Sequence, residues 1–151
     1  MKLEVKIKKL PVEKGIKQGV IPKYAHDTDA GLDLVAIDIT YDKITDTYIY
    51  HTGLAFEIPE GYTMLVFPRS SIRNKECFMC NSVGVVDSGY RGEVTASFKL
   101  RDSRHDHTPP YNIGDRIAQA IIIPYPKIKF IEVEELSDSD RGTNGHGSTG
   151  N

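Results

Sequence analysis

Arg69, Ser70 and Ser71 follow a proline that ends an apolar run (PRSSIRNK, 68–75). They offer a cation, hydroxyls and turn N–H groups, a set that suits an anion and equally an ordinary serine turn. RGTNGHGSTG (141–150) is a second such stretch. Glycine-rich backbone exposes N–H groups that can cradle phosphate oxygens, and Arg141 adds a forked cation. Gly142, Gly147, Ser148 and Thr149 echo a P-loop, but the lysine is missing and no strand and helix flank the loop. The same composition suits a solubilising tail. GVVDSGYRGEV (84–94) packs Asp87, Tyr90, Arg91 and Glu93 between apolar residues. Valines 85, 86 and 94 read as strand and Gly84, Gly89 and Gly92 break it, so a hairpin is expected, either carrying function or merely solvated.

Three further stretches have weaker chemistry. In DTDAGLDL (27–34), Asp27, Asp29 and Asp33 could hold a divalent cation through oxygen or form a solvated acidic turn. IGDRIAQ (113–119) feeds Arg116 and Gln119 into a strand, with Asp115 and Arg116 a potential local ion pair. HDH (105–107) lacks a third ligand nearby and reads as loop before Pro109 and Pro110. The two cysteines, Cys77 and Cys80, are expected to be buried or half-buried structural thiols on opposite faces of an extended segment. A closed zinc site would require a second pair.

The elements that must position these groups read as strands. LEVKIKK (3–9) alternates apolar and polar residues; 33–39, 47–59 (two strands around Thr52–Gly53), 62–68, 82–87, 93–100 and 117–123 follow, and IKFIEVEEL (128–136) is expected as the last strand. A short helix is expected around 70–76. Many short strands between Gly, Pro, Asn and Asp indicate an all-β sandwich or barrel. The 151 residues suggest one domain with a real core, and 19 Lys and Arg against 21 Asp and Glu (net −2) argue against a general nucleic-acid or membrane binder. MKLEVKIKKL has no apolar signal core and the chain has no 18-residue apolar run, so a cytoplasmic protein is expected.

In order, DAGLDL, PRSSI, NSVGVVDSGYRGEV, GDRIAQ and RGTNGHGSTG resemble the five motifs of the trimeric dUTP diphosphatases (dUTPases), from about residue 24 to the C-terminus. The resemblance implies an all-β, jelly-roll-like barrel of the dUTPase type over 1–136. A flexible glycine-rich arm (137–151) would complete a neighbour's active site in a homotrimer. The implied reaction is hydrolysis of dUTP to dUMP and pyrophosphate, with Mg²⁺ held mainly by the substrate phosphates and reached by Asp33 through water. Asp87 would orient and deprotonate the attacking water; a carboxylate of ordinary acidity is ionised at neutral pH and suffices. Tyr90 would lie against the deoxyribose and exclude a 2′-hydroxyl. Asn81, Gly84 and the backbone of Val85, Val86 and Asp87 would read uracil. Arg69, Ser70, Ser71 and Gln119 would hold phosphates, and Arg141, Gly147 and Ser148 would close over them. His146 stands where the family usually has a base-stacking Phe, and Gly89 where many members carry an acid. Two alternatives remain at this point: a dCTP deaminase, which shares the barrel but needs an acid–base glutamate for which Glu93 is a poor candidate, and a trimeric binding protein whose nucleotide pocket switches a protein partner.

Overall fold

Short runs of β-branched and aromatic residues, cut by Gly, Pro and Asp, form ten strands among the residues that the computed structural model describes, 2–102 and 108–144. In chain order they are β1 (Lys6–Lys9), β2 (Leu32–Val35), β3 (Asp38–Asp42), β4 (Thr47–His51), β5 (Leu54–Glu57), β6 (Tyr62–Pro68), β7 (Cys77–Met79), β8 (Gly84–Val86), β9 (Thr95–Leu100) and β10 (Arg116–Pro124). All pairings are antiparallel. One sheet has the order β2-β10-β6-β8, a second β3-β4-β9-β7, and β1 pairs with β5 beside them. This is the expected all-β, jelly-roll architecture. The helix expected near 70–76 is a 3-10 turn at Ser70–Asn74 with no side-chain cap.

Both four-stranded sheets feed one core. Period-two alternation buries Tyr48 and Tyr50 on β4, Met64 and Val66 on β6, and Ala96 and Phe98 on β9, while β10 adds Ile117, Ala118 and Ala120. Burying each large apolar side chain is worth roughly 1.5–3 kcal/mol. Tyr50, Phe98 and Tyr111 meet as a ring cluster with centroids 5.1–5.8 Å apart. The Tyr50 hydroxyl donates to the Tyr111 carbonyl (3.0 Å) and accepts from the Tyr111 N–H (2.9 Å). The Tyr111 hydroxyl is buried without a hydrogen-bond partner among the described residues, and burial pushes its pKa up to about 12. An unsatisfied buried hydroxyl costs about 1–3 kcal/mol. Tyr111→Phe is therefore expected to raise unfolding stability by about 1 kcal/mol, read from urea midpoints at matched protein concentration. A loss of stability instead would show that the hydroxyl has a bonding role.

The chain changes sheets at two places where local pattern suggests continuity. The stretch 33–39 is not one strand: it breaks at Ala36–Ile37, so β2 joins one sheet and β3 the other. At this break the Ala36 N–H bonds the Asp115 carbonyl and the Ile37 N–H the His51 carbonyl. Nor is 84–94 a hairpin, because β8 pairs with β6 while β9 pairs with β4 and β7. Residues 87–94 cross between the sheets.

Two further expectations are corrected. Cys77 is buried on β7 and burial pushes its thiol pKa up, but Cys80 is exposed, on the opposite face as extended geometry requires. Residues 128–136 form no strand: Ile128, Phe130, Ile131 and Leu136 are 72–89% exposed. Their alternation is that of a strand, but no strand among the described residues pairs with them.

Candidate active site

The sheet order places the first group. β10 lies between β2 and β6, with Gln119 opposite Asp33 on one side and Phe67 on the other. Arg69 follows directly after β6 and reaches across to Asp33, Nε to Oδ1 at 2.7 Å and Nη2 to Oδ2 at 3.5 Å. A β-bulge between Arg116 and Ala118 shifts the β10 register against β2. Bulges re-aim side chains, and Arg116 Nη1 meets Asp33 Oδ2 at 3.2 Å. Arg116 thus pairs across the strands with Asp33 and not with Asp115, whose carboxylate caps the Asn112 N–H at 2.8 Å. Arg69 Nη1 also donates to Ser71 Oγ (3.5 Å), and the Gln119 amide donates to the Pro68 carbonyl (3.1 Å).

Asp33, Arg69, Arg116 and Gln119 line an open cleft of about 350 Å³, with Ser70, Lys23 and Asp29 on its walls. Three cations face two carboxylates, so the cleft suits an anion. Of the two readings of Asp27, Asp29 and Asp33, a direct cation site does not form among the described residues. Asp33 is taken by two guanidiniums, Asp29 Oδ2 accepts the His26 N–H at 2.9 Å, and no group of three potential metal ligands occurs among the described residues. With both oxygens bonded by guanidiniums, Asp33 is not placed to coordinate an ion directly, and a divalent ion here would have to be carried by a ligand's own oxygens.

The second group owes its space to the sheet crossing. β8 is the edge of its sheet, so one side of its backbone has no ladder partner. Because β8 and β9 diverge into separate sheets, a cleft of about 180 Å³ opens between them, lined by Asn81, Gly84, Val85, Val86, Tyr90 and Glu93 along with Val66, Met79, Thr95 and Ala96. Unladdered N–H and C=O groups along a narrow, largely polar cleft suit a flat, polar-edged ligand. Asp87 follows β8 immediately. Its carbonyl accepts the Tyr90 N–H at 3.1 Å, and its carboxylate is exposed, without a hydrogen bond or ion pair among the described residues.

Tyr90 is fixed by its neighbours. Its hydroxyl donates to the Glu93 carbonyl at 3.0 Å. A Cβ on Gly92 would stand 2.3 Å from that hydroxyl, so glycine there is what lets the ring approach. The Arg91 guanidinium bonds the carbonyls of Ser88 and Tyr90 and braces the loop. A larger cavity, about 490 Å³, lies against Ser88, Gly89 and Arg91. Its two lysines are already paired with carboxylates, Lys6 with Glu57 (2.9 Å) and Lys127 with Glu60 (2.7 Å), and Glu4 adds a further negative charge, so it is a poorer anion site than the cationic cleft.

Within one chain the two clefts share no lining residue, so Asp33, Arg69, Ser70 and Gln119 gather in one place and Asn81, Gly84, Val85, Val86 and Tyr90 in another. Arg141 lines neither; its Nε donates to the Asn144 carbonyl (3.0 Å) in the exposed C-terminal segment. His146, Gly147 and Ser148, like the HDH run at 105–107, lie outside the described residues. Sequence reading missed the pairing of Arg116 with Asp33 and the engagement of Glu93 with His51, whose Nδ1 sits 2.9 Å from Glu93 Oε2. Both are long-range contacts without a local signature. No helix among the described residues is long and apolar enough to cross a membrane.

Comparison with known proteins bears on this arrangement. The deoxyuridine 5′-triphosphate nucleotidohydrolase of Leifsonia xyli subsp. xyli is 41% identical over 86% of this chain and 85% of its own length. That of Crocosphaera subtropica is 36% identical over 98% and 99%. The Staphylococcus bacteriophage 80alpha dUTPase solved with dUPNHPP superposes with a TM-score of 0.78 at 26% identity, covering 97% of this chain and 98% of that one. The dUTPase family model matches residues 17–150, which takes in both clefts and the C-terminal segment, and the chain accordingly belongs to the dUTPase family of enzymes.

Proposed function

We propose that the chain hydrolyses dUTP to dUMP and pyrophosphate as a homotrimer, with each active site assembled between subunits. In the cytoplasm this would lower dUTP and supply dUMP for dTTP synthesis. The observation that carries the reading is the division of the site. A base-sized cleft with Asp87 at its edge and a cationic cleft holding Arg69 and Gln119 sit apart on one chain. A triphosphate nucleotide needs both at once, which a neighbouring subunit can supply. The exposed apolar residues of 128–136 are the segment suited to join subunits.

In this reading the β8 edge and Asn81 read uracil, and Tyr90 closes the space beside the deoxyribose. The exposed Asp87 carboxylate takes a proton from the water that attacks the α-phosphate, and pyrophosphate leaves with Arg69, Ser70, Ser71 and Gln119 on its oxygens. Attack on an anionic phosphorus is slowed by charge, so positioning and electrostatic stabilisation supply most of the rate. A Mg²⁺ ion would be held mainly by the phosphate oxygens and reached by Asp33 through water, and would supply charge neutralisation on the triphosphate. The arm 137–151 brings Arg141, His146, Gly147 and Ser148 to a neighbour's substrate.

The deciding experiment is Mg²⁺-dependent pyrophosphate release from dUTP, UTP, dTTP and dCTP. Activity confined to dUTP is expected; cleavage of dCTP or of none overturns the reading. Ammonia release from dCTP would indicate the deaminase alternative. Against that alternative, both oxygens of the Glu93 carboxylate are already engaged, by the Gly53 N–H (2.7 Å) and by His51. Truncation after Leu136 removes the Arg141 contact. Charge-assisted hydrogen bonds are worth about 1.5–3 kcal/mol, so kcat/KM is expected to fall about 10–100-fold with the barrel still folded. Unchanged steady-state kinetics of the truncated chain would exclude the arm from the site.

A further inference from the structure

We infer that Glu93, held by His51, is a positioning residue that sets the Tyr90 ring and thereby the preference for deoxyribose over ribose; this rests on the dUTP reading above. Glu93 ties the loop to the core on three sides. Its Oε1 accepts the Gly53 N–H at 2.7 Å, and its Oε2 lies 2.9 Å from His51 Nδ1. Its backbone carbonyl takes the Tyr90 hydroxyl at 3.0 Å. The next residue continues the attachment, with the Val94 N–H on the Leu54 carbonyl (2.9 Å) and the Thr52 hydroxyl on the Val94 carbonyl (2.6 Å).

The anchor on the other side is rigid. Thr52 and Leu54 are fully buried, and Gly53 between them has φ +65°, the left-handed region that glycine adopts without strain. His51 is itself fixed at the far side of its ring, where Nε2 lies 2.9 Å from the Thr40 hydroxyl. A threonine hydroxyl can donate or accept, so either protonation state of the ring keeps this contact. A chain of bonds therefore runs from β3 through β4 and the Gly53 turn to Glu93, and ends on the Tyr90 hydroxyl.

The Glu93 carboxylate also lines the base-sized cleft, but its oxygens are occupied by protein donors. It is suited to hold the wall and not to touch the reacting atoms. Without it the 90–93 segment loses two of its ties to the turn and the Tyr90 ring gains freedom. A ring that moves by an ångström no longer closes the space that a 2′-hydroxyl needs, whereas Asp87, on the other side of the loop, keeps its position at the end of β8.

The test is the ratio of kcat/KM for dUTP to that for UTP. Glu93→Ala is expected to reduce it about 3–10-fold, the worth of one hydrogen bond, with the loss in KM for dUTP and in gained UTP turnover more than in kcat for dUTP. Glu93→Gln, which keeps an oxygen for the Gly53 N–H, is expected to restore most of the ratio. Gly92→Ala displaces the Tyr90 ring from the opposite side and is expected to lower the ratio likewise. A folded Glu93→Ala enzyme with the wild-type ratio overturns the inference. If Glu93→Ala does not fold, Tyr90→Phe decides: it deletes only the hydroxyl that Glu93 holds, and an unchanged ratio overturns the inference in the same way. A wild-type chain inert towards dUTP overturns the functional reading itself, a result distinguishable from variants that merely keep its selectivity.

Discussion

Asp87→Asn is expected to lower kcat for dUTP by about 10²–10⁴-fold, the usual worth of general-base assistance, with little change in KM or in thermal midpoint. Asp87 stands where β8 ends and the chain begins its crossing between sheets, so its position is set by the β6–β8 pairing and by the Tyr90 N–H on its carbonyl. None of these contacts involves the carboxylate, which is exposed and has no partner among the described residues. The amide therefore preserves shape and packing, and exposed substitutions that break no contact usually stay within about ±0.5 kcal/mol. What it removes is the ability to accept a proton from water. Pyrophosphate release under saturating dUTP and Mg²⁺, with a melting curve on the same sample, checks both halves. If the asparagine variant keeps more than a tenth of wild-type kcat, another group activates the water.

The five motifs and most strands were legible in the sequence because each is local. Alternation in 62–68 and 117–123 writes β6 and β10, and PRSSI, GDRIAQ and VVDSGY carry their chemistry in consecutive residues. What local pattern does not contain is the partner of a strand. The break at Ala36–Ile37 and the crossing at 87–94 are invisible for that reason, since the residues on either side are equally good strand formers. The same limit explains 128–136, an alternating segment that has no partner strand among the described residues. It also explains Asp33: its two arginines come from positions 36 and 83 residues away, and only the β2-β10-β6 order brings them to it. An acidic stretch that reads as a cation site or a solvated turn becomes instead the anchor of a cleft suited to an anion.

That inversion leads to the second large effect. Arg69→Ala is expected to reduce kcat/KM for dUTP by about 10²–10³-fold, the range seen when a donor aimed at developing negative charge is removed. Arg69 reaches Asp33 through Nε and Nη2 and Ser71 through Nη1, so the guanidinium plane is fixed at the wall of the cationic cleft before any ligand arrives. Lysine cannot reproduce this. It has no planar fork, and one ammonium can satisfy Asp33 or a phosphate oxygen but cannot orient both; Arg69→Lys should therefore recover little. Arg116 shares Asp33 from a more exposed side, its side chain 57% exposed against 23% for Arg69, so Arg116→Ala should cost less under the same conditions. Asp33→Asn should fall between them, because it leaves both arginines present but unanchored. Measuring kcat and KM for the four variants at fixed ionic strength tests the order. An Arg69→Ala loss no larger than that of Arg116→Ala would mean that the phosphates lie elsewhere, and that the Asp33 cluster serves only to hold three strands together.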